Sequence, residues 1–319
     1  MMNIIIRTDA SIEIGSGHVM RCLTIAKKLR EKGCCVKFWM KPLVGNLIDY
    51  VMQEGFENLE EAMFADMYII DHYELGIEWE QNIRPFTKKL IVIDDLARTH
   101  ECDLLLDQNI VPNYETRYDG KVPSHCVKLL GPKYLIMRDE FIEARAKLRT
   151  RLSDVRRLLI FMGGSDPTNE TSKVLEALRT IQFECIDVVV GNSNPMKDTI
   201  REICWERGYS YHCQIDYMAK LMQLADFAVG AGGGTTWERC YVGLPSSATI
   251  VADNQRETTA YAASLGVVKN IGWHEQVTVD TYKQLLGNLL IDNMSEKGIE
   301  LTATKRSNAW IYEILELKT

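Results

Sequence analysis

No apolar stretch in this 319-residue chain approaches the roughly 20 residues needed to cross a bilayer, so a membrane-spanning protein is not expected. The first apolar run is short, is broken by Arg7 and Asp9, and has no basic segment ahead of it, so no secretory signal is expected either. Positive charge is not in excess. The 37 Lys and Arg face 44 Asp and Glu, a formal net charge of −7, which argues against broad nucleic-acid or anionic-membrane binding and leaves room for a local basic pocket. The nine cysteines are odd in number and scattered, with no C-x-x-C pair and with Cys34 and Cys35 adjacent. That suits neither a zinc knuckle nor a disulfide framework. Cysteines in apolar runs, such as Cys126 and Cys185, read as small buried hydrophobes, and free thiols imply a reducing, cytoplasmic setting. The six histidines show no H-E-x-x-H spacing, so no metal ligand set is expected. No short repeat is present.

What the chain does have is glycine in the right places. Gly15-Ser16-Gly17-His18 follows the apolar run Ile4-Ile5-Ile6, and Gly230-Ala231-Gly232-Gly233-Gly234-Thr235-Thr236-Trp237-Glu238 follows Phe227-Ala228-Val229. Each reads as strand, glycine loop, helix, an arrangement that points backbone N–H groups and a positive helix end at an anion. At 46% hydrophobic and 25% charged, the chain has an ordinary globular composition and length enough for two cores. The expected domains are 1–150 and 151–319.

Strand and helix alternate almost throughout. In the first half the pattern gives strands at 3–8, 34–40, 67–71, 89–94 and 103–107, and helices at 18–32, 43–54 and 76–84. The strands are apolar runs rather than alternations, as in a parallel sheet covered on both faces. A loop-rich stretch follows, punctuated by Pro112, Gly120, Pro123, Gly131 and Pro132, then a charged helix and linker over 138–157. In the second half strands are expected at 158–162, 186–190, 209–213, 226–229 and 246–251. Helices are expected from about 168 and at 195–206, 217–224, 234–242 and 255–264, with two more at the C-terminus. The fold class is therefore α/β: two Rossmann-like doubly wound domains facing a cleft, with ligand sites at strand carboxyl ends.

His18 is the most informative titratable residue. At a helix start the dipole disfavours imidazolium, so a neutral ring suited to general-base work is expected; the alternative is a capping or packing histidine. Asp9 closes the first strand and either orients the imidazole or caps the loop. Arg21, one turn past His18, faces an anionic ligand or the solvent. In the second half Gly232, Gly233, Gly234, Thr235 and Thr236 form a donor-rich nest for a diphosphate, although turns also use glycine runs. Glu238 is placed to accept from two ribose hydroxyls, or else complements the helix dipole. Asn254 and Gln255 offer amides at another strand end, with a helix cap as the plain alternative. The loop Gly163-Gly164-Ser165-Asp166 carries the same ambiguity.

The run R-x-D-x-S-x-x-I-G-x-G-H-x-x-R-C-L-T-x-A from Arg7 to Ala26 resembles the signature of the UDP-sugar hydrolases of pseudaminic acid biosynthesis and of related spore-coat polysaccharide proteins. Leu106-Asp107-Gln108-Asn109, Gly131-Pro132-Lys133-Tyr134, Met162 to Asn169, Ala225-Asp226, Gly230 to Arg239, Gly243-Leu244-Pro245 and Asn254-Gln255 extend the resemblance in order along the chain. More distantly it resembles the MurG-type glycosyltransferases of GT-B architecture. The resemblance implies metal-independent hydrolysis of UDP-2,4-diacetamido-2,4,6-trideoxy-β-L-altropyranose to UDP and the free sugar, with inversion and without a cofactor. It makes His18 the base, with Gly17 and Arg21 beside it. Gly232 to Thr236 become the pyrophosphate loop and Glu238 the ribose carboxylate. Gly164, Ser165, Asn254, Gln255 and, more weakly, Tyr73 become substrate contacts. With no fused transferase segment, a single activity is expected. A glycosyltransferase using the same UDP-sugar, or a sensor that binds without turnover, remains open. The expected partner is the small-molecule UDP-sugar, with neither nucleic acid nor membrane.

Overall fold

The computed structural model describes residues 1–151, 154–289, 291 and 293–317. The chain divides into two compact units, Met1–Met137 with Thr304–Thr319, and Arg138–Ala303.

The first unit is built on a seven-stranded parallel sheet. Its strands are β1 (Asn3–Thr8), β2 (Cys35–Trp39), β3 (Glu57–Leu59), β4 (Ala65–Asp71), β5 (Thr87–Ile93), β6 (Leu104–Asp107) and β7 (Val127–Leu130), in the order β3-β2-β1-β4-β5-β6-β7. Helices α1 (Gly17–Glu31), α2 (Ile48–Gln53) and α3 (Ile77–Ile83) connect the early strands. Side chains alternate across a strand, so the run Ile4-Ile5-Ile6 feeds two cores. Ile4 and Ile6 pack with Phe38, Ile69 and Ile91 on one face, and Ile5 with Tyr68, Ile70 and Val92 on the other. Helix α1 buries Val19, Cys22, Leu23, Ile25, Ala26 and Leu29, a stripe at helical spacing, on the first of these faces. It stops at Gly33, whose φ of +81° lets the Cys34 N–H return to the Leu29 carbonyl at 3.1 Å.

The second unit has a six-stranded parallel sheet in the order β10-β9-β8-β11-β12-β13. Its strands are β8 (Arg157–Phe161), β9 (Cys185–Val190), β10 (Ser210–Cys213), β11 (Phe227–Ala231), β12 (Ser246–Ile250) and β13 (Lys269–Trp273). The helices, in chain order, are α4 (Asp139–Arg145), α5 (Glu170–Ala177), α6 (Lys197–Arg207), α7 (Met218–Leu224), α8 (Thr235–Tyr241), α9 (Arg256–Ser264), α10 (Val279–Gly287) and α11 (Met294–Leu301). Leu158, Ile160, Val188, Phe227 and Val229 form its core with Val174 and Leu175 of α5 and Tyr282 of α10. Among the described residues no helix is long and apolar enough to cross a membrane.

The structure departs from the sequence expectation in three respects. Strands β3, β7 and β13 were not expected; all three lie at sheet edges, where one neighbour suffices and the apolar run is short. Val127 and Lys128 of β7 are exposed. Among the described residues three helices rather than two follow β13. The last, α12 (Trp310–Glu316), belongs to the first unit, so the division falls at 137/138 with a returning C-terminus rather than at 150/151. Trp310, Ile311 and Ile314 join the core beneath α1, and fully burying each such side chain is worth about 1.5–3 kcal/mol. The Asn308 side chain anchors the return, accepting from the Met137 N–H and donating to its carbonyl, both at 2.8 Å.

Candidate active site

In the first unit the chain order reverses between β1 and β4, the arrangement that opens a crevice at strand carboxyl ends. The loop leaving β1 is pinched where the Gly15 N–H donates to the Ser11 carbonyl at 2.9 Å, and Ser11 Oγ accepts from the Ile14 N–H at 2.9 Å. Gly15 takes φ +79°, the left-handed conformation glycine tolerates. This tight loop delivers Gly17 and His18 as the first residues of α1.

His18 is buried, and its Nδ1 lies 2.6 Å from Oδ1 of Asp71, the last residue of β4. The β1–β4 register, which pairs Thr8 with Asp71, brings this carboxylate beside the start of α1. Arg21 closes a fork on the same group, with Nε 2.8 Å from Oδ2 and Nη2 2.7 Å from Oδ1. Burial alone would raise the Asp71 carboxyl. The charges and hydrogen bonds of Arg21 and His18 outweigh it and hold the group well below the usual carboxylate range. An ionised Asp71 makes Nδ1 the protonated ring nitrogen. Among the described residues no protein group bonds His18 Nε2. Tyr73 packs edge-on against the His18 ring, centroids 4.5 Å apart, and donates its phenol to Asp95 Oδ2 at 3.0 Å. The Asn109 amide donates to the same oxygen at 3.2 Å. Burial raises the Asp95 carboxyl despite the opposing charge of Arg21.

In the second unit the order reverses between the neighbours β8 and β11, and glycine loops leave both. After β8, Gly164 packs so closely on Gly191 that a Cβ on Gly191 would stand 2.3 Å from the Gly164 carbonyl oxygen. Ser165 is buried, and Asp166 caps α5 by accepting from the Glu170 and Thr171 N–H groups, both at 2.9 Å. After β11, Gly232 lies against α9; a Cβ there would meet Thr259 Oγ1 at 2.3 Å, so only glycine allows the approach. Gly233 and Gly234 leave the loop backbone open, and Thr235 and Thr236 begin α8. Gln255 braces the loop's neighbour by accepting from the Val251 N–H at 3.0 Å. Glu238 Oε1 accepts from Arg138 Nη2 at 3.0 Å, while its Oε2 is buried without a hydrogen-bond partner, an acceptor in need of a donor. Among the described residues no group of three or more His, Cys, Asp or Glu is placed to hold a metal ion.

No family model matches the chain. A UDP-2,4-diacetamido-2,4,6-trideoxy-β-L-altropyranose hydrolase of Campylobacter jejuni is 27% identical over 278 residues, covering 83% of this chain and 97% of that protein. The spore coat polysaccharide biosynthesis protein SpsG of Bacillus subtilis is 25% identical over 300 residues, 88% of this chain and 86% of that one. This chain is a homologue of both. An uncharacterized protein of Methanocaldococcus jannaschii is 30% identical over 80% of this chain, and the match spans 57% of that relative's length. Among solved structures, MurG of Acinetobacter baumannii superposes with a TM-score of 0.65 at 13% identity, covering 99% of this chain and 100% of that one. A spinosyn rhamnosyltransferase, SpnG, gives 0.59 at 13% identity and 95% of each chain. These likenesses establish the fold: α/β of the GT-B class.

In this chain the structure gathers His18, Arg21 and Tyr73 in the first unit, and Gly232 to Thr236 with Gln255 in the second. Asn254 lies in the turn Asp253–Gln255 that leads into α9. One expectation is corrected. Asp9 does not orient His18, because its carboxylate is already engaged. It takes both Arg7 Nη groups at 2.7 Å, His72 Nε2 at 3.0 Å and the Lys41 N–H at 2.8 Å. The residue that orients the imidazole is Asp71, far along the chain from both. Arg21 forks onto Asp71 through Nε and Nη2, and its side chain keeps 16% exposure. Asp71 and Asp95 are additions to the expected residues; the sequence signal for Asp71 is the triplet Asp71-His72-Tyr73 at the end of an apolar strand.

Proposed function

We propose that this chain hydrolyses a UDP-sugar of the diacetamido-trideoxyhexose class at the anomeric C–O bond, releasing UDP and the free sugar. The observation that carries the reading is the His18–Asp71 pair: Nδ1 lies 2.6 Å from the carboxylate, so in this reading Asp71 holds the proton there and Nε2 accepts one. The named activity of the C. jejuni homologue supports the substrate class. In this reading, the backbone N–H groups of Gly232 to Thr236 receive the diphosphate, and Glu238 Oε2 accepts from a ribose hydroxyl. Water attacks the anomeric carbon from the face opposite the diphosphate, and His18 Nε2 takes its proton. The C–O bond breaks, the electron pair leaves with UDP, and the configuration inverts. Donors aimed at the departing diphosphate take the place of a general acid.

Turnover in oxygen-18 water without any acceptor is the test. Label in the sugar and none in UDP supports the reading. Label in UDP would mean attack at phosphorus and would remove His18 from the role. UDP release only when an alcohol acceptor is added would make the chain a glycosyltransferase.

A further inference from the structure

Two arginines are fully buried among the described residues, Arg7 and Arg239. Arg7 has Asp9 as its counter-charge at 2.7 Å. Arg239 of α8 has none. Its four hydrogen bonds all go to neutral oxygens: Nη2 to the Ala231 carbonyl and to Thr236 Oγ1, each at 3.0 Å, Nη1 to Thr235 Oγ1 at 3.3 Å, and Nε to Ser246 Oγ at 3.1 Å. The adjacent Glu238 gives its bonded oxygen to Arg138 rather than to Arg239. The backbone is shaped around the guanidinium, since a Cβ on Gly230 would stand 2.3 Å from Nη1. Burying a cation without a partner is costly, and burial pushes this one down to about 10. The fold therefore keeps a positive charge with no bonded carboxylate directly behind the loop Ala231–Thr236.

We propose that Arg239 is the resident counter-charge of that loop and confers its preference for a nucleoside diphosphate over the bare nucleoside. The proposal rests on the nucleotide reading above and adds a positioning residue to it. Arg239 acts in two ways. Its charge attracts an anion through the loop, in surroundings where water screens little. It also fixes the direction of a donor. Thr235 Oγ1 accepts from Arg239, so its own proton points away from the guanidinium, and the half-buried Thr235 presents that O–H at the open side of the loop. The Thr236 hydroxyl is buried, and its second neighbour is the Ala231 carbonyl at 3.5 Å, so Thr235 supplies the outward donor.

The test compares UDP, by calorimetry, with uridine, by ligand-observed NMR, on the full chain. Arg239→Met should weaken UDP by about tenfold or more, the scale of one lost charge-assisted interaction, while uridine changes by less than about threefold. Arg239→Lys keeps the charge and should recover most of the UDP affinity. Thr235→Val should weaken UDP and spare uridine. A purely structural arginine would give a different pattern: UDP and uridine would fall together, or UDP would not change, and either result overturns the proposal. Should Arg239→Met fail to fold, Arg239→Lys and Thr235→Val decide, and unchanged UDP affinity in Thr235→Val refutes the oriented donor. Wild-type chain that binds no UDP sinks the nucleotide reading itself, before any variant is made.

Discussion

Replacing Asp71 by Asn changes little volume and removes one negative charge from the point where His18 and Arg21 converge. Two effects follow, of different size. The first is on stability. Arg21 loses its carboxylate in a largely buried place, and removing one partner of a buried pair costs about 3–5 kcal/mol. Because the Arg21 side chain keeps 16% exposure, the lower end is expected. The second is on turnover. An amide can present its NH2 to His18 Nδ1, which drives the ring proton to Nε2 and occupies the lone pair the reaction needs. Loss of a correctly held general base lowers turnover by about 10²–10⁴-fold. The assay is steady-state UDP release, with UDP affinity by calorimetry and a thermal melt on the same preparation. Turnover should collapse while UDP affinity stays within about twofold, since the loop Gly232 to Thr236 is untouched. Asp9→Asn is the control: it breaks the comparably buried pair with Arg7 and should lower the melting temperature without a comparable loss of turnover. A folded Asp71→Asn protein with turnover within about threefold of wild type would refute the tautomer argument, and the role given to His18 Nε2 with it.

Other outcomes are expected on the same grounds. His18→Asn should lower turnover by about 100-fold or more with UDP binding retained, checked by single-turnover UDP release. Glu238→Ala should weaken UDP by about 1.5–3 kcal/mol, read by calorimetry; unchanged affinity would leave Glu238 as the partner of Arg138 only. EDTA should leave turnover intact, and inhibition reversed by one divalent ion would contradict donor-only stabilisation of the diphosphate. The pH dependence of stability should carry the mark of His100. Burial alone would lower it, but the Asp94 carboxylate 3.5 Å from Nε2 and the hydrogen bond between Nδ1 and Glu80 raise it to about 9. A raised folded value means that the contribution is complete below the ordinary value near 6.5 and is lost as pH climbs to 9. Unfolding free energy should fall by about 3 kcal/mol across that window, and His100→Gln should flatten the fall in denaturant titrations.

Local pattern was enough for much of this protein. Apolar runs covered on both faces told of parallel sheets, and the glycine loops beyond β1 and β11 marked strand-to-helix turns at the carboxyl ends of strands. The positions of His18, Thr235 and Glu238 at the starts of α1 and α8 were legible because each lies within a few residues of its glycine loop, and short-range geometry is written in short-range sequence. The edge strands β3, β7 and β13 were illegible because an edge needs little hydrophobicity. The return of α12 to the first unit could not be read either: Trp310, Ile311 and Ile314 announce an apolar stripe but not which core will receive it. The same limit governs the site. Asp9 stands close to His18 in the chain, and Asp71 stands 53 residues away. Sequence proximity favoured the first, and the parallel pairing of β1 with β4 delivered the second. Nothing in the sequence around Arg239, the end of the run Gly230 to Arg239, marks its surroundings. Only the packed structure shows that it is buried and lacks a carboxylate, because a counter-charge, or its absence, is a property of what surrounds a residue and not of what adjoins it in the chain.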